Sequence, residues 1–409
     1  MSRRSASPAL PALLILILLC LSSACASLPE ASPRPARLIL VSLDGTAARY
    51  LGAGHTPVLD ALAADGARAR WMNPSYPSLT FPNHYTLVTG LRPDHHGIVN
   101  NTMRDPALGR FTIHDPEAVG NAHWWDGTPL WVGAQRAGLR TAAMFWPGTE
   151  AAIDGVRPDT WTPFDPELTP EARVERVLGW LDRPPASRPD FITLYFEHVD
   201  TAGHYSGPDS QARIAATERL DAAIGLLVDG LRERGLYEDT NIVVVSDHGM
   251  AATSLRRLVF LDDLVDLDDW TVVTQGTVVG LAPRSADAAF PKQDPHLTCW
   301  RKQELPARWH YGTHPRVPPV LCQAALGWKA LARADLLRMG GRTSAGEHGF
   351  DPAEPSMGAI FIAHGPAFAR GVVLEPFDNV DVYPLLAALL GVEPAPNDGD
   401  AAHLREALR

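Results

Sequence analysis

The sequence predicts an α/β fold: a doubly wound, mostly parallel sheet flanked by helices, with a smaller inserted cap. Three observations lead there. Short apolar runs at 38–43, 141–146, 191–196 and 241–246 have the length and continuity of strands buried on both faces. Segments of helical spacing lie between them, an alternation that builds parallel strands joined by crossover helices. From 250 to 345 the alternation gives way to shorter pieces rich in Pro, Trp and Gly, and it resumes with the apolar run at 359–363.

In chain order, residues 1–26 read as an export signal. Arg3 and Arg4 supply charge, residues 9–21 an apolar run too short for a membrane span, and Ala24-Cys25-Ala26 small residues for cleavage. Two outcomes stay open: release to the periplasm or the exterior, or lipidation of Cys25 as a membrane anchor. Residues 27–36 form a proline-bearing linker. The core is expected over 37–249 and 346–395, the cap over 250–345, and a C-terminal tail over 396–409. The strand at 38–43 ends on Asp44-Gly45, and 56–65 follows with Leu59, Leu62 and Ala63 on one helical face. A helix at 130–137 precedes the strand at 141–146. The run 191–196 leads into Glu197-His198-Val199-Asp200. A long amphipathic helix over 210–234 places Ile214, Leu220, Ile224 and Leu227 on its buried side, and the strand after it ends on Asp247-His248-Gly249. Inside the cap, 270–274 and 277–281 read as short antiparallel strands. A last helix covers 382–390.

The net charge of −11, with 45% apolar and 20% charged residues, describes a globular protein without a broad basic face. No polymeric nucleic acid is expected as a partner, although a small phosphate pocket is compatible with this balance. The oligomeric state is not legible. Of four cysteines, Cys20 and Cys25 lie in the signal. An exported chain left with Cys299 and Cys322 is expected to join them, two buried thiols being the alternative.

Ligands of parallel sheets bind beyond the carboxyl ends of strands, so Asp44, Asp200 and Asp247-His248 should share one edge. His204 follows Asp200 by four residues, and His348 sits in Gly-Glu-His-Gly. Each alone has a plain explanation, such as capping a helix. Three aspartates and three histidines without cysteine form a donor set for zinc, or another borderline divalent ion, in an open catalytic site. The stretch from Asn73 to Asn101 adds a hydroxyl. Pro74, Pro77 and Pro82 shape an extended approach to a short helix that Thr80 opens and Gly90 closes. A helix start favours a phosphate, and two nearby cations would make Thr80 a nucleophile instead of a cap.

Asp44, Pro-Ser-Leu-Thr-Phe-Pro-Asn-His around Thr80, Asp200-x-x-x-His204, Asp247-His248-Gly249-Met250 and Gly346-x-His348-Gly349 resemble the nucleotide pyrophosphatase/phosphodiesterases of the alkaline phosphatase superfamily. The likeness runs from about 38 to 392. It implies an alkaline phosphatase-like core and two zinc ions. One would be held by Asp200, His204 and His348, the other by Asp44, Asp247, His248 and the Thr80 oxygen. It also implies that Asn101 donates to a phosphate oxygen and that Phe81 and Tyr195 flank a nucleobase or apolar ester group. The expected reaction is hydrolysis of nucleotide-type phosphodiesters to a nucleoside monophosphate through a phosphothreonine intermediate. No arginine stands beside Thr80 to meet the extra charge of a monoester, which favours diesters. The alternatives are a diesterase for lipid head groups or choline-type esters, a phosphate monoesterase, and a catalytically silent metal-binding recognition protein.

Overall fold

The computed structural model describes residues 36–409. The expectations for the export signal, for Cys25 and for 27–35 lie outside the described residues. The central sheet has eight strands: β1 (Arg37–Leu43), β2 (Ala67–Ala69), β3 (Thr141–Met144), β4 (Thr160–Trp161), β5 (Phe191–Phe196), β6 (Thr240–Val245), β7 (Phe361–His364) and β8 (Val372–Leu374). Their order across the sheet is β8-β2-β7-β6-β1-β5-β3-β4. β1 lies at the centre, parallel to both β5 and β6, with Ser42 opposite Tyr195 on one side and Val245 on the other. Every residue of β5 and β6 is buried, which is why their sequences show continuous apolar runs and no alternation.

β3 is two residues shorter than its apolar run. Phe145 takes a positive φ of 64° and bends the chain out of the sheet, so that Trp146 Nε1 donates to the carbonyl of His84. β7 runs antiparallel to β6, with Phe361 opposite Val245. Its N-terminal end therefore lies at the edge where β1, β5 and β6 end, and the segment preceding it can reach the same site.

Among the helices are α1 (Pro57–Ala64), α2 (Thr80–Thr89), α3 (Pro93–His96), α4 (Leu130–Arg136), α5 (Pro170–Leu181), α6 (His198–Ser206), α7 (Gln211–Glu233) and α8 (Val382–Leu389). α1, α5 and α6 pack on α7, while α2 packs on α3 and α8, and α8 on α4. These two groups flank the sheet. α7 is started by Ser210, whose side chain accepts from Arg213 N. It buries Leu220, Ile224, Leu227 and Leu231, whereas Ile214 is only partly buried. Among the described residues no helix is long and apolar enough to cross a membrane.

Residues 270–274 and 278–283 pair antiparallel, as their pattern predicts. They extend into a four-stranded antiparallel sheet through 320–324 and 297–301, with its own apolar cluster around Val279, Leu281, Leu297 and Val320. Cys299 and Cys322 face each other across the last pair and form the disulfide. Where this region leaves and rejoins the core, 251–252 pairs antiparallel with 346–347. Past α8 the chain remains packed, with Leu404 and Ala407 fully buried.

Candidate metal centre and nucleophile

α2 begins at Thr80. Leu79, extended at φ −120°, occupies the capping position without a side-chain hydrogen bond, so the Thr80 hydroxyl is not used as a cap. Gly90, at φ +66°, ends the helix in the left-handed conformation that a glycine adopts freely. Thr80 Oγ1 lies 3.4 Å from His248 Nε2. In the first turn, Phe81 N donates to Asn101 Oδ1 and Pro82 has no N–H. Asn101 is thereby tied to the turn that Thr80 opens.

Two groups of donors meet at this strand edge: Asp44, Asp247 and His248, and Asp200, His204 and His348. Within each group the ligand atoms lie within 4.8 Å of one another. His348 Nε2 is 3.1 Å from His204 Nε2 and 3.6 Å from Asp200 Oδ1. His248 Nε2 is 3.7 Å from Asp44 Oδ1. The His248 and His348 rings stack at 3.6 Å and join the two groups.

The hydrogen bonds around these side chains fit cations. All three imidazoles place Nδ1 2.9 Å from a carbonyl: His204 on Gly346, His248 on Gly249 and His348 on Ser78. A carbonyl only accepts, so each Nδ1 carries the proton and each Nε2 presents a lone pair to the site, the arrangement common among metal-bound histidines. The carboxylates divide similarly. Asp44 Oδ2 accepts from the Tyr195 hydroxyl at 2.7 Å and Asp247 Oδ1 from Gly45 N at 3.1 Å. Asp44 Oδ1, Asp247 Oδ2 and Asp200 Oδ1 are buried and accept no hydrogen bond, although Asp247 Oδ2 lies 2.8 Å from His248 Nε2. Buried acceptors without donors are costly unless a cation meets them. Gly45, at φ +67°, lets β1 approach this close, since a Cβ there would stand 2.9 Å from Asp200 Cα.

Electrostatics make the same demand. Burial, then Asp247 and Asp200, push the Asp44 carboxyl well above its ordinary range. Burial also raises Asp200, against the pull of His204 and His248. At Asp247 burial is outweighed by His248 and His84, and its carboxyl is held low. Burial beside His248 and His204 holds His348 far below an ordinary imidazole. Asp247 raises His248 and Asp200 raises His204 against burial, so the carboxylates draw positive charge into the site, which a divalent ion would supply.

Phe81 is partly exposed beside Thr80, with its edge toward Phe111 and Trp125. Tyr195 is only 8% exposed, and its hydroxyl is engaged by Asp44. Sequence reasoning passed over Phe164, 45% exposed and packed edgewise on Tyr195 and Phe145. Arg173, fully buried, donates to the Leu168 carbonyl and pairs with both Glu197 oxygens, tying the Phe164 loop to the end of β5. Of the remaining histidines, His95 is exposed against Asp398, His310 is exposed, and His314 is partly buried facing Asp126. His96 is buried against Thr86 and the Pro82 carbonyl, and burial pushes it down to about 3.

The type I phosphodiesterase / nucleotide pyrophosphatase family model matches residues 38–351. Ectonucleotide pyrophosphatase/phosphodiesterase family member 3 of Rattus norvegicus is 36% identical over 407 residues, covering 95% of this chain and 46% of the relative. The venom phosphodiesterase of Macrovipera lebetinus is 37% identical, with 95% and 47% covered. The chain thus spans about half the length of these curated relatives. It covers 78% of an uncharacterized pyrophosphatase/phosphodiesterase of Schizosaccharomyces pombe, at 36% identity over 88% of this chain. Among solved structures, murine ectonucleotide pyrophosphatase/phosphodiesterase 5 superposes with a TM-score of 0.86 at 32% identity, covering 91% of this chain and 100% of that one. That structure is of an inactive threonine-to-alanine variant in complex with AMP. Sequence, sheet topology and relatives agree, and the chain belongs to the type I phosphodiesterase / nucleotide pyrophosphatase family.

Proposed function

We propose that this chain is an exported, two-zinc phosphodiesterase that cleaves nucleotide-type phosphodiesters to a nucleoside monophosphate through a phosphothreonine intermediate. The observation that carries the reading is the Thr80 hydroxyl, free of any capping role and placed 3.4 Å from His248, where two donor groups adjoin. Asp200, His204 and His348 would hold one zinc, and Asp44, Asp247 and His248 the other, with the Thr80 oxygen. Bound there, the ions lower the pKa of a hydroxyl or water and neutralise phosphoryl oxygens.

The chain's own residues do the rest. Thr80 Oγ1 attacks phosphorus, its proton passes to solvent, and the bond from phosphorus to one ester oxygen breaks, releasing that group. Water then cleaves the bond between phosphorus and Thr80, and the monoester leaves. The Asn101 NH2 and the Thr80 N–H donate to a phosphoryl oxygen as charge develops. Phe81 and Tyr195 would flank the base or apolar ester group, and the absence of an arginine beside Thr80 disfavours monoesters. The AMP complex of the murine neighbour, and the inactivity of its threonine variant, are what this assignment expects of a relative. Its ecto- and venom-named relatives accord with export of this chain.

The test compares a chromogenic nucleotide diester with the matching monoester, with and without chelator and zinc. The expected result is zinc-dependent turnover that prefers the diester. Thr80→Ala abolishes this turnover and retains the bound zinc. Normal turnover by Thr80→Ala removes the nucleophile assignment, and preference for the monoester makes the enzyme a phosphatase.

A further inference from the structure

His84 reads from the sequence as a structural residue of α2, and no metal role is left for it. Its surroundings are more specific than that. The imidazole is wholly buried one helical turn after Thr80. Nδ1 lies 2.9 Å from the Thr80 carbonyl and 3.5 Å from Asp247 Oδ2, and Nε2 lies 2.7 Å from Ser42 Oγ. The ring meets the edges of Trp146 and Tyr195 at centroid distances of 5.1 Å. Trp146 Nε1 donates to the His84 carbonyl, and the Tyr195 hydroxyl donates to Asp44. One ring thus touches the start of α2 and residues at or just past the ends of β1, β3, β5 and β6.

We propose that His84 is a positioning residue that registers the Thr80 turn of α2 against the strand ends bearing Asp44 and Asp247. The partners fix its tautomer. The Thr80 carbonyl can only accept, so Nδ1 carries the hydrogen and Nε2 the lone pair, into which the Ser42 hydroxyl donates. The Nδ1–H points to the Thr80 carbonyl with Asp247 Oδ2 beside it, so the donor that fixes the nucleophile's backbone also faces the carboxylate. Ser42 lies two residues before Asp44 on β1, so its hydroxyl ties the imidazole to the strand that delivers Asp44. A ring fixed on these sides transmits small displacements of any strand end to the nucleophile. Such outer contacts typically change metal affinity or activity by about 10–100-fold, and a misplacement of about 1 Å can cost 100-fold in rate.

The catalytic half of this inference rests on the phosphodiesterase reading; the placement of Asp247 does not. Asparagine and glutamine separate the two ring nitrogens, because the asparagine amide reaches the Nδ1 position and the glutamine amide the Nε2 position. His84→Asn, His84→Gln and Ser42→Ala are compared for zinc affinity by chelator competition, and for kcat and KM on the chromogenic nucleotide diester. Expected are a kcat loss of about 100-fold in His84→Gln with KM nearly unchanged, and zinc affinity weakened about tenfold. His84→Asn retains zinc affinity and loses kcat only as far as Ser42→Ala does. Ser42→Ala lowers kcat in the native background and leaves it unchanged in the His84→Asn background, where no ring lone pair remains to accept from Ser42. Equal losses in His84→Asn and His84→Gln, or native values in His84→Gln, overturn the proposal. Without turnover in the native protein the phosphodiesterase reading fails, and the order of zinc affinities still decides whether His84 places Asp247. If neither His84 variant folds, Ser42→Ala alone decides, and native kcat and zinc affinity in that variant overturn the inference.

Discussion

The Tyr195 hydroxyl donates to one oxygen of Asp44 and leaves the other facing the site. Tyr195→Phe leaves that buried acceptor without its donor, which costs about 1–3 kcal/mol. Denaturant unfolding with zinc present should show this loss, and chelator competition a weaker affinity. Gly45→Ala acts on the same carboxylates from the backbone. Its Cβ would stand within 3.0 Å of Asp200 atoms at a left-handed φ, and that conformation alone costs about 1–2 kcal/mol. Lower stability together with lower zinc affinity is expected, whereas an alanine variant with native affinity would show that β1 need not approach Asp200 so closely. Asp44 and Asp247 were legible in the sequence because a carboxylate directly after a buried strand has few places to go. The Tyr195 hydroxyl was not, since a continuous apolar run says that both faces are covered and nothing about which strand end a phenol will meet. Phe164 lies in a loop of Asp and Pro with no period to read, and His84 could be seen only as a ring one turn after the hydroxyl.

At the scale of elements, α3 is tied to the 312–314 turn by one carboxylate. Asp94 accepts from Gly312 N, Thr313 N, Thr313 Oγ1 and His314 N. Burial alone would raise its pKa, but these bonds outweigh burial and hold the carboxyl below the usual range. A depressed pKa stabilises the fold fully above the unfolded value of about 4, and that contribution is lost as the pH falls through the folded value. Asp94→Asn should therefore lower stability at neutral pH by about 1.5–3 kcal/mol, the range for hydrogen bonds to a charged group. It should also flatten the acid limb of the stability profile, measured by unfolding across pH 2–7. An unchanged acid limb would place the pH dependence elsewhere. Element type was largely legible: β1, β5 and β6 stand where their apolar runs do, and Thr80 opens α2. Direction was not. A short buried run such as Phe361-Ile362-Ala363 packs equally well either way, and the antiparallel course of β7 follows from connections that no local pattern records. The strands at 297–301 and 320–324 carry polar residues among apolar ones, so their cysteines were countable while their cross-strand register was not.

For the whole molecule, cations and the disulfide act on different parts. A ligand that binds only the folded state at 100 times its Kd stabilises by about 2.7 kcal/mol. Chelation should lower the thermal midpoint, and added zinc should restore it; a midpoint indifferent to both would mean that the donor groups hold no cation in solution. The disulfide closes a separation of 23 residues, for which loop entropy gives about 3 kcal/mol. Cys299→Ser with Cys322→Ser should speed hydrogen exchange in 297–301 and 320–324, and leave β1 and β6 protected. The fold class and one binding edge could be read from the sequence because alternating runs and strand-end polar residues follow from elementary packing. The small antiparallel sheet could be read only in part, since its cohesion comes from pairings remote in sequence.

The two donor groups are interleaved along the chain, Asp44 with Asp247 and His248, and Asp200 and His204 with His348. A chain emerging from the ribosome, or threading across a membrane, contains neither complete group until residue 247 and then 248 have passed. The second waits for His348, which follows the whole antiparallel region. No segment shorter than nearly the full core contains both groups, so any cation that needs both can bind only after almost the whole core has been made and folded.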